Sequence, residues 1–268
     1  MTHDQRVRLE IGADHIARVT LIRTDKSNAL DSAMFDALIA TADQLRDARS
    51  VRAVVMSGEG NGFCAGIDMQ VLEAMKAGTI AGTRDLVERT HGLCNRFQYA
   101  AWAWRELPMP VIAAVHGFAL GGGLELALGA DVRYATPDSR MAIMEVNWGL
   151  VPDMCGSVRF YDLMRDDIIR ELAFTGRVFS GVDAVDYGLV TRVRDNPLEL
   201  ALSTAQEIAA RSPDAVRALK RLFSAQSSPA AGAGLLAECV EQQKLLGTPN
   251  QVETVRASKE KRTPVFTD

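Results

Sequence analysis

The 268-residue chain contains few cysteines, and their spacing excludes the sites that paired cysteines usually form. No two of them stand as C-x-x-C, and no histidines lie at the intervals typical of a metal site. The sequence therefore predicts reduced thiols, a cytoplasmic location and no metal centre. The four cysteines are Cys64, Cys94, Cys155 and Cys239.

An excess of positive charge and long apolar segments are also lacking. The net charge is −4 and basic residues are scattered, apart from KEKR at 259–262, so no nucleic-acid partner is expected. The N-terminal segment lacks the apolar core of a signal peptide. Residues 111–130 are long enough for a membrane span, but they contain His116, Glu125 and five glycines. This composition predicts burial inside the protein and no contact with a membrane.

Three consecutive glycines, residues 121–123, do not belong to either of two common nucleotide-binding motifs. A dinucleotide fingerprint would require glycine at Leu126, and a P-loop would require a nearby Gly-Lys-Ser/Thr. The apolar run at 111–115 predicts a short buried strand, and LELALGA after the glycines predicts a helix. A turn between strand and helix leaves backbone N–H groups free at an electropositive helix end. It could receive the negative oxygen of a phosphate, a carboxylate or an enolate.

A second glycine-rich loop occupies residues 57–68, SGEGNGFCAGID. Helix-forming residues follow it, so Asp68 is a candidate N-cap and the Ile67 N–H would point into a neighbouring space. The more usual interpretation of such a composition is a surface loop that ends in a helix cap.

Three acidic residues surround the first glycine turn. Glu125 could simply complement the dipole of its helix, and Asp153 could be a plain N-cap. Glu145 ends the mostly apolar run MAIME, where a charge has to be paired or used. Three acids around one turn favour a chemical role over these separate structural explanations.

Strands alternate with helices through the first two hundred residues, which predicts an α/β layered domain. The chain is expected to begin with a hairpin, followed by an amphipathic helix at 32–48 and a strand at 51–57. Beyond Pro197 amphipathic helices predominate. Further elements are predicted as a helix at 166–175, a capping box at Ser180 and a last strand at 189–193.

Residues 78–105 are weakly patterned and contain an aromatic cluster. Such a cluster usually belongs to the core and less often forms a substrate wall. Its members are Tyr99, Trp102 and Trp104.

In their order and spacing, six pieces of the sequence resemble the enoyl-CoA hydratase/isomerase (crotonase) family. They are SNAL (27–30), GFCAGID (62–68), AAVHGFALGGGLELALGAD (113–131), the acid Glu145 after MAIM, GLVPD (149–153) and FTGRVFSGVDAVDYGLV (174–190). The resemblance implies a spiral of ββα units over residues 1–195. It also implies a helical C-terminal region, 196–268, that covers the active site and mediates assembly into a homotrimer or a dimer of trimers.

The resemblance further implies a reaction on acyl-CoA thioesters without a separate cofactor, since coenzyme A is part of the substrate. The backbone N–H groups of Ile67 and Gly122 would form the oxyanion hole for a thioester enolate. Glu125 would activate water for attack at C3, and Glu145 would deliver a proton to C2. His116 is expected to satisfy a backbone carbonyl and not to act as a base.

For the coenzyme A moiety, the resemblance points to Lys26 near the phosphates and to Lys261 near the adenosine phosphate of the same or a neighbouring subunit. Solvated surface charge is the alternative interpretation for both lysines. Gln70 occupies a position where the family often has lysine. Substrate contacts are also expected at Ala65, Asp68 and Gly121.

Asp153 departs from the hydratase pattern. Many hydratases of the family have glycine there, whereas dienoyl-CoA isomerases have an acid but also carry aspartate in place of Glu125. The leading prediction is therefore an enoyl-CoA hydratase acting on 2-trans-enoyl-CoA. The alternatives are an enoyl- or dienoyl-CoA double-bond isomerase that uses Glu145 with Asp153, and a non-catalytic acyl-CoA-binding protein. RNA binding is disfavoured by the acidic charge balance.

Overall fold

The computed structural model describes residues 5–76, 85–226 and 231–266. Within these ranges, strands and helices are interspersed up to residue 193, and only helices follow. The strands are β1 (Val7–Ile11), β2 (Ile16–Leu21), β3 (Ala53–Gly58), β4 (Val111–Val115), β5 (Phe118–Leu120), β6 (Val132–Ala135), β7 (Arg140–Ala142) and β8 (Arg192–Val193). The helices are α1 (Ser32–Arg46), α2 (Met69–Lys76), α3 (Arg96–Glu106), α4 (Gly122–Leu128), α5 (Gly156–Leu163), α6 (Asp166–Thr175), α7 (Gly181–Asp186), α8 (Pro197–Ala209), α9 (Pro213–Gln226), α10 (Ala231–Leu245) and α11 (Pro249–Glu260). The predicted α/β class with a helical C-terminal region is confirmed.

The main sheet has the strand order β1-β2-β3-β4-β6-β8. β1 and β2 form the predicted antiparallel hairpin, and every later pair in this sheet is parallel. A smaller parallel sheet consists of β5 and β7. Because β5 follows β4 after only two residues, Gly117 and its neighbour carry the chain directly from one sheet to the other.

Both faces of the main sheet are buried, as expected for parallel strands with helical connections. Along β3, Val54 and Met56 join the larger core beneath α1 and α3, whereas Ala53 and Val55 face α8. Alanines at 201, 205 and 209 form the buried stripe of α8, and their small side chains let this helix lie close to the strands. α8 thus belongs to the sheet packing, although it lies just past the predicted boundary at residue 195.

Local signals in the sequence are reproduced closely. The helix predicted at 32–48 is α1, and its N-cap Asp31 accepts a hydrogen bond of 2.8 Å from the Met34 N–H. The strand predicted at 51–57 begins two residues later, at Ala53. α6 ends at Gly176, whose φ of +60° suits glycine. The capping box at Ser180 is also confirmed.

The weakly patterned segment contains a helix that sequence periodicity did not reveal. α3 begins with a capping box in which the Gln98 N–H donates to Asn95 Oδ1 at 2.9 Å. Its side chains are buried on almost every side, so no polar face marks the helical period. The aromatic residues Tyr99, Trp102 and Trp104 are buried in the core, as the more usual interpretation proposed. Residues 77–84 lie outside the described part of the chain.

Residues 111–130 fold into β4, β5 and α4 and lie inside the protein, as predicted. In the described ranges, no helix has both the length and the apolar character that a membrane crossing requires. The same ranges contain no group of three or more His, Cys, Asp or Glu side chains suited to a metal ion. All four cysteines are buried and outside disulfides.

Gly129 tests how tightly α4 is held against α3. A β-carbon at this position would lie 2.2 Å from the Ala101 carbonyl oxygen, so Gly129→Ala should lower the free energy of unfolding by about 2 kcal/mol. Gly232→Ala on α10 is the matched control, because its β-carbon would meet only the Leu93 side chain at 3.5 Å. The control should be neutral or stabilising by up to about 1 kcal/mol. Urea unfolding of both variants measures the difference; equal values would contradict the close packing of α3 on α4.

Candidate active site

A cavity of about 600 Å³ opens where the turn between β5 and α4 meets the loop that precedes α2. Nine of the predicted site residues line it: Lys26, Ala65, Ile67, Asp68, Gly121, Gly122, Glu125, Glu145 and Asp153. Lys261 does not line the cavity and instead ends α11 with a left-handed backbone conformation. Its predicted contact with the adenosine phosphate therefore stays a prediction.

The two glycine-rich loops meet at this cavity. A β-carbon at Gly66, where φ is +86°, would lie 2.5 Å from the Leu120 carbonyl oxygen and 3.6 Å from the Gly122 nitrogen. Only glycine allows this approach of the two backbones. Backbone hydrogen bonds fix the contact, since the Leu120 N–H donates to the Cys64 carbonyl and the Leu30 N–H donates to the Gly66 carbonyl.

The N–H groups of Ile67 and Gly122 have no hydrogen-bond acceptor among the described residues, and both residues line the cavity. Gly122 is the first residue of α4, where the helix itself supplies no acceptor for the N–H. Ile67 lies between two residues that bond to the 27–30 loop, because the Gly66 carbonyl and the Asp68 N–H both pair with Leu30. The fold thus holds two free donors on rigid segments at one cavity.

Gly121 brings the helix terminus against an acidic side chain. Its φ is +50°, and a β-carbon there would lie 2.9 Å from Glu145 Oε1. The backbone conformation favours glycine, and a β-carbon would also displace the end of the Glu145 side chain. The carboxyl of Glu145 consequently lies beside the residue that precedes the free Gly122 N–H.

Glu125 projects from the first turn of α4 and is only 2 % exposed. Its Oε1 accepts a hydrogen bond of 3.2 Å from the Met154 N–H. Burial, with the negative charges of Glu145, Glu238 and Asp153, raises the pKa of Glu125 well above its usual value. The sequence anticipated the position of this acid at the helix end but not its almost complete burial.

Glu145 begins a short 3₁₀ turn, Glu145–Trp148, and is also buried. Neither of its carboxyl oxygens has a hydrogen-bond partner among the described residues. Burial raises the pKa of Glu145 to about 7. A buried carboxyl without partners is costly unless it serves a function, which makes Glu145 a candidate for the reactive part of the cavity.

Asp153 is not an N-cap, because α5 is preceded by Cys155 and Asp153 lies two residues earlier. Burial against the protein and the charges of Glu238 and Glu145 raise the pKa of Asp153 to about 8. The side chain still borders the cavity. The structural explanation considered for Asp153 was therefore wrong, and its carboxyl belongs to the same group as the two glutamates.

The candidate contacts for coenzyme A differ in character. Lys26 is exposed at the rim of the cavity. Asp68 uses both carboxylate oxygens within the protein: Oδ1 accepts from the Gln70 N–H at 2.9 Å and Oδ2 accepts from Arg23 Nη1 at 2.7 Å. Despite its burial, these two bonds keep the pKa of Asp68 below its usual value. Asp68 thus acts as the predicted helix cap, and Arg23, which sequence reasoning missed, ties it to the 23–31 loop.

The histidine beside the glycine turn also behaves as predicted. His116 Nε2 lies 3.0 Å from the Gly60 carbonyl oxygen, so the imidazole satisfies a backbone group.

Sequence reasoning missed the apolar wall of the cavity and the contribution of α10. Phe35, Phe97 and Trp148 line the cavity, whereas the aromatic residues proposed as a possible wall lie elsewhere in the core. Gln242 reaches the cavity from α10, where its Oε1 accepts from the Val151 N–H at 3.1 Å. Glu238, one turn earlier, is 4 % exposed. No local pattern in the sequence distinguishes these two residues from the more exposed polar residues of α10.

Comparisons with known proteins agree with this geometry. The sequence profile described as enoyl-CoA hydratase/isomerase matches residues 12–268. A human mitochondrial protein, enoyl-CoA hydratase domain-containing protein 2, is 35% identical over 97% of this chain and 89% of its own. Human mitochondrial Δ(3,5)-Δ(2,4)-dienoyl-CoA isomerase is 31% identical over 96% of this chain and 80% of its own. A crystal structure of an enoyl-CoA hydratase/isomerase from Pseudoalteromonas atlantica T6c superposes with a TM-score of 0.85 at 25% identity, covering 98% of this chain and all of that one.

The unpartnered burial of Glu145 predicts a pH-dependent cost in stability. A carboxyl with a pKa of about 7 when folded and about 4.5 when unfolded stays protonated in both states below pH 4.5, and it destabilises the fold as pH rises through 7. Glu145→Gln should therefore raise the free energy of unfolding by about 3 kcal/mol at pH 8, at roughly 1.4 kcal/mol per pKa unit. The gain should vanish at pH 4.5.

Urea unfolding at the two pH values measures this effect. Glu253→Gln on α11 is the control of opposite sign, because hydrogen bonds from Arg262 and the Val265 N–H lower the pKa of Glu253 to about 2. That variant should lose stability at pH 8. A Glu145→Gln protein that is equally stable relative to wild type at both pH values would contradict the burial of an ionisable Glu145.

Proposed function

Because the chain belongs to the enoyl-CoA hydratase/isomerase family, we propose that it catalyses the reversible addition of water to 2-trans-enoyl-CoA thioesters. The observation that carries the proposal is the meeting, at one cavity, of two free backbone N–H groups with two buried glutamates. A non-catalytic acyl-CoA-binding protein would not need Glu125 and Glu145, whose burial destabilises the fold.

In this proposal the Ile67 and Gly122 N–H groups bind the thioester oxygen. Attack at C3 moves negative charge onto that oxygen, and two fixed donors stabilise the resulting enolate without having to reorient. The positive end of the α4 dipole adds to the effect at Gly122. Loss of one such donor typically costs about 3–4 kcal/mol of transition-state stabilisation.

The two glutamates exchange protons with water and with the substrate. Burial raises the pKa of both glutamates, and the charge of Glu145 raises that of Glu125 further, so the pair loses its two protons in separate steps. Hydration uses the form in which ionised Glu125 takes a proton from water while protonated Glu145 delivers one to C2. Dehydration uses the reverse arrangement. The Met154 N–H stabilises the ionised form of Glu125.

We assign coenzyme A recognition to the rim of the same cavity. Lys26, which is exposed at the rim, would meet a phosphate, and Lys261 would do so from the same or a neighbouring subunit. Ala65 and Gly121 line the path of the thioester, whereas Asp68 shapes it indirectly through its bonds to Gln70 and Arg23. No separate cofactor enters this mechanism.

We also propose that the chain assembles as a homotrimer or a dimer of trimers. α9 presents a row of large apolar side chains to solvent in the single chain, as expected for a helix that another copy covers. They are Leu219, Leu222 and Phe223. Light scattering that gives a monomer mass at micromolar concentration would contradict this assembly.

Double-bond isomerisation is the second candidate, and Asp153 favours it. Its carboxyl borders the cavity with a pKa near 8, so Glu145 and Asp153 could move a proton between two carbons of a conjugated chain. Human mitochondrial Δ(3,5)-Δ(2,4)-dienoyl-CoA isomerase, at 31% identity, is about as similar to this chain as a Bacillus subtilis protein named a probable enoyl-CoA hydratase, at 30%. The presence of Glu125 keeps hydration the stronger proposal.

The shared proton predicts a bell-shaped pH dependence of kcat/KM for crotonyl-CoA hydration. Activity should rise as pH passes through about 7, where the first proton leaves the pair, and fall at higher pH when both glutamates are ionised. Initial rates between pH 5 and pH 10 measure the profile. A constant value from pH 5 to pH 9 would exclude a catalytic role for this pair.

Single substitutions separate the two reactions. Glu125→Gln should lower crotonyl-CoA hydration by at least about 100-fold, because general acid–base catalysis supplies 10²–10⁴-fold. Asp153→Asn should lower hydration much less, yet it should abolish any isomerisation of a 3,5-dienoyl-CoA. Hydration is measured as the loss of absorbance from the double bond conjugated with the thioester. Isomerisation is measured as the gain of absorbance when the double bonds become conjugated with the thioester carbonyl. Hydration that survives Glu125→Gln at the wild-type rate would overturn the assignment.

A further inference from the structure

Glu238 is a buried acid on α10 that the proposed chemistry does not use directly. It is 4 % exposed and lies in the C-terminal region, more than eighty residues from the segment that it contacts. Its Oε1 accepts from the Ser157 N–H at 2.8 Å and from Ser157 Oγ at 2.7 Å. Its Oε2 accepts from the Cys155 N–H at 3.1 Å and from Gln98 Nε2 at 2.9 Å.

These bonds make Glu238 a cap for α5 that is supplied from another helix. Cys155 is the N-cap residue of α5, and Ser157 lies in its first turn, where N–H groups have no helical acceptor. The Cys155 side chain makes no capping bond, and its φ of +72° is unfavourable for a residue other than glycine. A backbone in this conformation persists only when its surroundings hold it.

The same helix terminus also orients Glu125. Along the turn, the Met154 N–H donates to Glu125, whereas the next N–H, that of Cys155, donates to Glu238. A β-carbon at Gly156 would lie 2.1 Å from Glu125 Oε1, so the backbone of the turn contacts that carboxyl directly. The two acids therefore accept hydrogen bonds from consecutive N–H groups of one turn.

We infer that Glu238 is a positioning residue of the proposed active site: three of its hydrogen bonds fix the 153–157 turn that carries Asp153 and orients Glu125, and the fourth, from Gln98, ties the carboxylate to α3. The inference rests on the proposed hydration for its kinetic part only. Glu238 contacts no substrate; it acts through the turn and through its negative charge.

The charge of Glu238 also acts on the acids of the cavity. Four hydrogen-bond donors favour its carboxylate form, although burial raises the pKa of Glu238 above its usual value. Its negative charge contributes to the raised pKa values of Glu125, Glu145, Asp153 and Cys155 on neighbouring segments and of Cys239 on α10 itself. Arg89 reaches the same Gln98 side chain but bonds to its oxygen, with Arg89 Nη1 donating to Gln98 Oε1 at 3.0 Å. Removing the charge should therefore make the catalytic acids ionise at lower pH.

Glu238→Gln in the full-length chain tests the inference. The substitution keeps the shape of the side chain but removes its charge. It also replaces one accepting oxygen with an –NH₂ group, which cannot accept hydrogen bonds from the N–H donors of the turn. We expect kcat for crotonyl-CoA hydration to fall roughly 10- to 100-fold with little change in KM, as for a misplaced catalytic group. The rising limb of the pH profile should also move to lower pH.

Glu238→Asp separates the two effects, because it keeps the charge but is one methylene too short to hold the turn. It should lower kcat while leaving the rising limb in place. Glu253→Gln is the matched control on α11: this buried glutamate binds Arg256, Arg262 and the Val265 N–H, and it does not line the cavity. It should leave kcat and the pH profile unchanged.

An activity-independent measurement keeps the result separate from the proposed function. Carbon-detected NMR titration of the side-chain carboxyls should show Glu125 and Asp153 ionising at lower pH in Glu238→Gln than in wild type, whether or not crotonyl-CoA is hydrated. Wild-type protein that fails to hydrate any enoyl-CoA would overturn the proposed function alone. If Glu238→Gln does not fold, Ser157→Ala, which removes one of the hydrogen bonds to Glu238, should also lower kcat, but by a smaller factor. Unchanged kcat and unchanged titration in the folded variants would overturn the inference.

Discussion

The close contact between two glycine-rich backbones is the constraint on which the rest of the site depends. Gly66 approaches the Leu120 carbonyl more closely than any residue with a β-carbon could, and this brings it beside Gly122. Hydrogen bonds from the 27–30 loop on one side and from β5 on the other prevent the two segments from separating. The Ile67 and Gly122 N–H groups consequently face one cavity without donating to a protein acceptor, which is costly in a folded chain unless a ligand supplies the acceptor.

The buried acidic residues lower the stability of the folded state. Glu125 and Glu145 are buried close together, and burial raises the pKa of both, so the folded state is less stable at neutral pH than an uncharged cavity would make it. Hydrogen bonds from residues outside the cavity fix the segments that line it. Arg23 holds Asp68, and Glu238 holds the turn before α5. α10 thus contributes to this cavity, since Gln242 lines it and Glu238 bonds to the turn before α5.

Much of the fold could be predicted because local signals in this sequence are consistent with one another. Asp31 and Ser180 begin helices, Gly176 ends one, and the apolar run at 111–115 is a buried strand. α3 could not be predicted from periodicity, since a helix buried all round has no polar face. The glycine turns and the acids of the cavity were visible as short patterns. The partners Glu238, Gln242 and Arg23 were not, because contacts between residues so distant in sequence leave no local trace.

A crystal structure with a bound, slowly reacting acyl-CoA thioester tests the central claim most directly. The geometry predicts that the thioester oxygen lies about 2.7–3.1 Å from both the Ile67 and the Gly122 nitrogen atoms. The carboxyls of Glu125 and Glu145 should face C3 and C2 in the same complex. A thioester oxygen bound elsewhere, or in contact with only one of the two N–H groups, would contradict the claim that these backbones form the oxyanion hole.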